Sequence, residues 1–222
     1  IPLFFVLGLV MALILNNQYL PGRTFFRVAL IVPWAASTVA IMMSLIWQFF
    51  FRQQGTINQI LAVFGVDGPA YLNSDVWAFA IVVLVNLWYT YPFFMVIILG
   101  GLQAVPLDLY EAAEVDGASW WHQLTGITLP LLRPAVLPAI VLSTLTTYKV
   151  DAVVWGITKG GPVKGAGVPG ATEFVMVHAY KQIFQTGAFG RMGAFAVILF
   201  VALFAATLYS LRVTQITRGA YE

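Results

Sequence analysis

The order of apolar and polar positions divides this chain into long uncharged runs joined by shorter polar connections. Residues 28–51 carry no charge. As a helix rising about 1.5 Å per residue they reach about 36 Å, enough to cross a hydrocarbon core of about 30 Å. Residues 76–107 are also uncharged, and their length predicts a tilted helix with its core at 77–99, followed by a short turn. Residues 132–149 are shorter and contain Pro134 and Pro138, which suit a helix entering the membrane with its first turn, or a kink relieved by neighbours. The run 192–211 stops at Arg212. With apolar residues 1–15, the pattern predicts an all-α, polytopic transmembrane bundle of about five visible spans within one domain, 1–222. Residues 1–15 have no preceding Met and no basic segment, so they read as the remainder of a helix with native sequence missing upstream, not as a signal peptide.

Composition narrows the class. Of 222 residues, 60% are hydrophobic and only 9% charged, where a soluble domain carries roughly 25% charged residues. The chain lacks the polar surface of a water-soluble protein, which leaves an integral membrane protein. A net charge of +2 provides no nucleic-acid footprint. The absence of Cys removes disulfides, thiolate nucleophiles and Cys-based metal sites together. His122 and His178 lie in connections that the five-span topology puts on opposite membrane faces, so no metal site is expected. There is no Gly-x-x-x-x-Gly-Lys-Ser/Thr, Gly-x-Ser-x-Gly or His-Glu-x-x-His element. Catalysis and cofactor binding are therefore not expected of this chain.

The connections carry the remaining information. Residues 16–27 and 52–75 are ordinary links. Residues 103–133 hold Asp108, Glu111, Glu114 and Asp116, four of the nine acids. The longest connection, about 151–190, is rich in Gly and Pro and includes Gly160-Gly161-Pro162. The positive-inside rule does not orient the chain: Arg23, Arg27, Arg133, Arg212 and Arg218 balance Arg52, Lys159, Lys164, Lys181 and Arg191. Within 103–133, Pro106 can open a helix, Asp108 and Glu111 favour its positive N-terminal end, and Asp116-Gly117 supplies a stop. The prediction is a short helix between two spans, with Ala112, Ala113, Gly117 and Ala118 as a small-residue surface that another protein can approach closely. A solvated interfacial helix is the alternative on physics alone.

The stretch Glu111-Ala112-Ala113-Glu114-Val115-Asp116-Gly117-Ala118, followed by Ile127-Thr128-Leu129-Pro130, resembles the EAA motif of permease subunits of binding-protein-dependent ABC importers. Gly55-Thr56-Ile57-Asn58, Gly100-Gly101-Leu102-Gln103 with Pro106, and Thr158-Lys159-Gly160-Gly161-Pro162 are similar to features of the carbohydrate-uptake branch. The last resembles the maltose-type first permease of a heterodimeric pair. Tyr148-Lys149-Val150-Asp151 departs from the Phe/Asn-rich sequence often found before that loop. The resemblance implies a bacterial or archaeal cytoplasmic (inner) membrane, with the 103–133 loop cytoplasmic and the 151–190 loop external. It implies that Glu111, Ala112, Ala113, Asp116 and Gly117 dock in a cleft of an ATPase subunit. The implied partners are a second homologous permease, an ATPase dimer that binds the ATP and Mg, an extracytoplasmic solute-binding protein, a sugar and the lipid bilayer.

A sugar in a membrane cavity needs hydrogen-bond partners and flat apolar faces. In 76–107 these come from Asn86, Trp88, Tyr89, Thr90, Tyr91 and Phe93, of which Asn86, Tyr89, Thr90 and Phe93 share a helical face by spacings of three and four. The resemblance implies that this face, with Ser143 and Thr147, lines a sugar site. The competing role is interhelical hydrogen bonding or an interfacial aromatic belt. Lys149 and Asp151 read as residues at the outer helix end, where Lys can reach water. The expected function is ATP-driven import of a di- or oligosaccharide of maltose/maltodextrin or trehalose type, by alternating access. The alternatives are an importer of the same architecture for a polyol, glycerol phosphate or osmolyte and, more distantly, a channel or secondary transporter. Ion coupling is disfavoured because the uncharged runs that predict spans contain no acids.

Overall fold

A computed structural model describes residues 1–147, 152–165 and 167–218, and every long regular element among them is helical. The order is α1 (Pro2–Asn16), α2 (Arg23–Ala36), α3 (Ala40–Phe51), α4 (Thr56–Val63), α5 (Asp75–Gln103), α6 (Leu107–Val115), α7 (Trp120–Gln123), α8 (Leu129–Thr147), α9 (Ala152–Ile157), α10 (Val175–Thr186) and α11 (Phe189–Arg218). Tyr148, Lys149, Val150 and Asp151 lie outside the described residues.

Among the described residues, three helical segments are long and apolar enough to cross a membrane: Asp75–Gln103, Trp120–Thr147 and Phe189–Tyr209. The uncharged run 28–51 is not the single straight span its composition predicts. It breaks at Ser37–Val39, and the helices on either side bend by 100°, so it counts as a fourth span only if the bent pair crosses together. Pro33 lies inside α2, where its missing N–H and its ring disrupt the turn before it, and the Ser37 hydroxyl donates to the Trp34 carbonyl at 2.6 Å. Counting uncharged residues does not detect this break. α1 has 15 residues, about 22 Å of helix, which is shorter than a hydrocarbon core of about 30 Å. Of the five expected spans, three pass by length and composition among the described residues, or four with the bent pair, and Pro2–Asn16 is a shorter apolar helix.

The run at 132–149 also starts earlier than predicted. The helix is continuous from Trp120 to Thr147 through a π turn at Leu124–Thr128. Pro130 cannot donate to the carbonyl four residues back, and the wider turn accommodates it, with the Leu129 N–H reaching Leu124 O. The predicted Gly/Pro-rich connection is partly helical, since α9 and α10 lie within it.

The chain divides into two compact units, each assembled from separated stretches. The first takes Ile1–Val32, Thr90–Leu145 and the segment from Ala202. In it, Phe4, Gly8, Ala12 and Leu15 recur at helical spacing and form the buried stripe of α1. The stripe packs closely on α5: a carbon added at Gly8 would lie 2.6 Å from Phe94 Cβ. Phe5 meets Phe94 edge to face at 6.3 Å, and the Tyr91 hydroxyl donates to the Leu30 carbonyl at 3.2 Å. On α8, Leu132, Val136, Ala139 and Ser143 form a buried stripe of the same kind.

The second unit takes Pro33–Tyr89 and Thr146–Val201. Its core joins Tyr71, Ile81, Val82 and Val85 to Val153, Val154 and Ile157 of α9. Gln48 links α3 to α9, donating from Nε2 to the Ile157 carbonyl at 2.8 Å while its Oε1 accepts from Arg52 Nη2 at 2.8 Å.

Candidate functional site

The predicted short acidic helix is present as α6, with nine residues and none of them buried. Pro106 stands at the N-cap in extended conformation, and Asp108 occupies the first turn, where a carboxylate favours the positive helix end. At the other end the Ala118 N–H donates to Ala113 O at 2.8 Å and the Gly117 N–H to Glu114 O at 3.0 Å. This pair of bonds is a Schellman cap, which needs a left-handed residue at the position Gly117 fills with φ +76°. No atom lies within 4 Å of where a Cβ would be, so glycine is needed for the backbone angle alone.

Glu111, Ala112, Asp116 and Gly117 are exposed and Ala113 is half-buried, so the five predicted docking residues stand together around the C-terminal half of α6. Leu107 and Val115 extend the exposed surface with apolar area, being 73% and 88% exposed. One side chain fastens the helix to the adjoining span: the Tyr110 hydroxyl lies 2.9 Å from Thr128 Oγ1. Thr128 is buried in the π turn, with its Oγ1 3.3 Å from the Gln123 carbonyl. Beyond the cap, Ser119 caps α7 by accepting from the His122 N–H, and its Oγ lies 2.7 Å from His122 Nδ1. The arrangement is an exposed helix with a rigid stop, hydrogen-bonded to the first turns of a span.

The predicted sugar-contact residues divide between the two units. In the second, Asn86 is half-buried, whereas Tyr89 is 4% exposed and its hydroxyl points to the Ala40 carbonyl at 3.4 Å. Thr147, the last residue of α8, is half-buried. In the first unit, Thr90 and Phe93 are half-buried, Phe93 meets Phe94 edge to face at 5.6 Å, and Ser143 is buried. Trp88 packs edge to face on Trp47 at 5.5 Å, and Tyr91 serves the contact with Leu30 described above.

A polar cluster that the sequence reading did not single out lies between α9 and α10. Glu173 keeps only 7% of its side chain exposed, pairs with Lys181, and accepts from His178 Nδ1 at 2.7 Å and from the Gly170 N–H at 3.4 Å. Burial alone would raise its pKa, but the hydrogen bonds from Lys181, His178 and Gly170, with the Lys181 charge, outweigh it and hold the carboxyl below the ordinary glutamate range. The signal available in the sequence was an acid five residues before a histidine and eight before a lysine at the entry to α10.

Comparison with known proteins follows the same lines. The model of the family described as binding-protein-dependent transport system inner membrane component matches residues 5–217. A trehalose/maltose transport system permease protein of Thermococcus litoralis is 36% identical over 214 residues, 96% of this chain and 69% of that protein. A maltose/maltodextrin transport system permease protein of Vibrio vulnificus is 33% identical over 221 residues, 96% of this chain and 42% of that one. The chain therefore spans about two thirds of the first relative's length and less than half of the second's. In fold, the chain is similar to a solved bacterial ABC transporter involved in the import of the acidic polysaccharide alginate. The TM-score is 0.70 at 19% identity, over 95% of this chain and 72% of that one. The chain belongs to the family of inner membrane components of binding-protein-dependent transport systems, as a multi-pass permease subunit that is not itself an ATPase.

Proposed function

We propose that this chain is one permease of a heterodimeric, ATP-driven importer for a di- or oligosaccharide of maltose/maltodextrin or trehalose type. In this reading it forms half of the translocation pathway as a single permease domain and docks on its ATPase through α6. The observation that carries the proposal is α6 itself: an exposed acidic helix with a glycine-dependent stop, tied by Tyr110 to the start of a span. Closure of the ATPase dimer pushes on Glu111, Ala112, Ala113, Asp116 and Gly117. The Schellman cap keeps the helix end from unwinding, and the Tyr110–Thr128 contact passes the displacement to the helix that runs to Thr147. The pathway then faces outward to take sugar from the solute-binding protein, and hydrolysis in the ATPase returns it inward. The sugar class is supported by the relatives, which are named for trehalose, maltose and maltodextrin transport. Asn86, Thr90, Phe93 and Thr147, all half-buried, are the candidates for sugar contact, whereas Tyr89 and Ser143 act in helix packing.

The test is uptake of radiolabelled maltose, trehalose and maltotriose into proteoliposomes holding the co-purified complex, internal ATP and binding protein. A Glu111→Lys/Gly117→Asp permease is run in parallel. ATP-dependent uptake of one of these sugars, abolished in the variant, is the predicted result. Uptake indifferent to ATP and to the variant would overturn the reading in favour of a channel or secondary transporter.

A further inference from the structure

We infer that Glu173 is a positioning residue for docking of the solute-binding protein, because its buried carboxylate fixes the shape of the loop carrying Gly160, Gly161 and Pro162. The inference rests on the proposed reading that this loop faces the binding protein.

The loop closes on itself through its two ends. The Ala171 N–H donates to the Pro162 carbonyl at 3.0 Å. Thr172 is fully buried, and its hydroxyl donates to the Gly161 carbonyl at 2.6 Å while lying 2.6 Å from Thr158 Oγ1. The returning strand of the loop thus carries the groups that hold the outgoing turn.

Glu173 follows directly and attaches that returning strand to α10. Its carboxylate takes one donor from the loop, the Gly170 N–H, and two from α10, His178 Nδ1 and Lys181 Nζ. Lys181 also closes the turn from below: a Cβ at Gly160 would lie 2.9 Å from Lys181 Nζ and 3.1 Å from Val177 Cγ1. Gly160 adopts φ +86°, so the backbone angle calls for glycine. Between the two fixed ends, Val163, Lys164 and Val168 are exposed, with 55% for Val163 and 53% for Val168. The loop therefore has a rigid base and an exposed tip. A buried ion pair is a costly way to fill space, since apolar residues of similar volume often stabilise as well or better. Its geometry, with one donor from the loop and two from α10 meeting on a single carboxylate, points to fixing a shape.

Two measurements on the reconstituted full complex test this. The first is ATP hydrolysis against the concentration of loaded binding protein for wild type, Glu173→Gln, Lys181→Met and the double variant. Each single variant is expected to raise the half-saturating concentration about fivefold to tenfold, the effect of about one ordinary net hydrogen bond, with the maximal rate and the rate without binding protein unchanged. The double variant is expected to do no more than either single one. Superimposed curves, or a fall in maximal rate at unchanged half-saturation, would overturn the inference. The second measurement is amide hydrogen exchange of peptides covering 158–173 without binding protein. Glu173→Gln is expected to speed exchange there and leave α5 peptides unchanged; unaltered exchange would overturn the inference. If wild-type hydrolysis ignores the binding protein while Glu173→Gln still speeds exchange, the proposed placement of the loop fails and the docking role fails with it. The clamp on the loop then stands alone.

Discussion

Gly8 gives the sharpest test of how α1 is held. It sits in the buried stripe of α1, and an added methyl would lie 2.6 Å from Phe94 Cβ and 2.9 Å from the Met95 backbone nitrogen. Carbon atoms in ordinary contact are about 3.5–4.0 Å apart, so α1 must move off α5 by about 1 Å. Both obstructing atoms belong to the helix itself or to its first side-chain carbon, so no rotamer change relieves the clash. Overpacking of this kind costs about 1–3 kcal/mol. The better helix propensity of alanine returns up to about 1 kcal/mol, for a net loss of about 1–2 kcal/mol. Gly100→Ala is the control, since no atom lies within 4 Å of its Cβ position and only the propensity gain remains. In thermal unfolding of the purified complex, Gly8→Ala should melt about 2–8 °C below wild type, while Gly100→Ala should melt at or slightly above it. Equal midpoints for the two variants would refute the packing argument.

Three further outcomes follow from the geometry. Gly117→Ala should cost about 1–2 kcal/mol at the α6 cap by forcing a Cβ into left-handed backbone, whereas Gly117→Asn should largely retain function; ATP-driven uptake of the two variants compares them. Tyr110→Phe removes one hydrogen bond worth about 1 kcal/mol, and should lower uptake per ATP hydrolysed without changing the amount of assembled complex. The Glu173 carboxyl titrates below its unfolded value, so its contribution is fully present above the ordinary glutamate range of about 4 and is lost as pH falls through the lowered value. Limited proteolysis of the 158–173 loop with an acid-active protease should accordingly be slow near pH 5 and speed up on further acidification, and Glu173→Gln should flatten that dependence.

Features carried by local chemistry were legible in the sequence. Pro106, Asp108 and Asp116-Gly117 predicted α6 and its end because caps and dipoles act over one turn, and the uncharged runs predicted the apolar segments Asp75–Gln103 and Phe189–Tyr209 within about four residues at each end. Features that depend on partners elsewhere in the chain were not. Residues 28–51 pass every length and charge test for a straight span, yet Pro33 and the turn at Ser37–Val39 break it. Three prolines obscured the start of the helix that begins at Trp120, because a π turn absorbs Pro130. Tyr89 has the residue type and spacing of a sugar-facing side chain, but its hydroxyl is directed at Ala40, 49 residues away. Glu173 lay in a stretch read as loop because its partners act across five and eight residues, on a helix masked by the surrounding Gly and Pro.

The central claim is that α6 is the contact with the ATPase. These 222 residues contain no cysteine, so each single-cysteine variant places one labelling site among them. Ala112→Cys, Val115→Cys and Lys164→Cys would each carry a photo-activated cross-linker in membranes holding the assembled complex, with products identified by mass spectrometry. The account predicts ATPase adducts from positions 112 and 115, changed in yield by ATP, and none from position 164. ATPase adducts from 164 with none from 112 and 115 would contradict it.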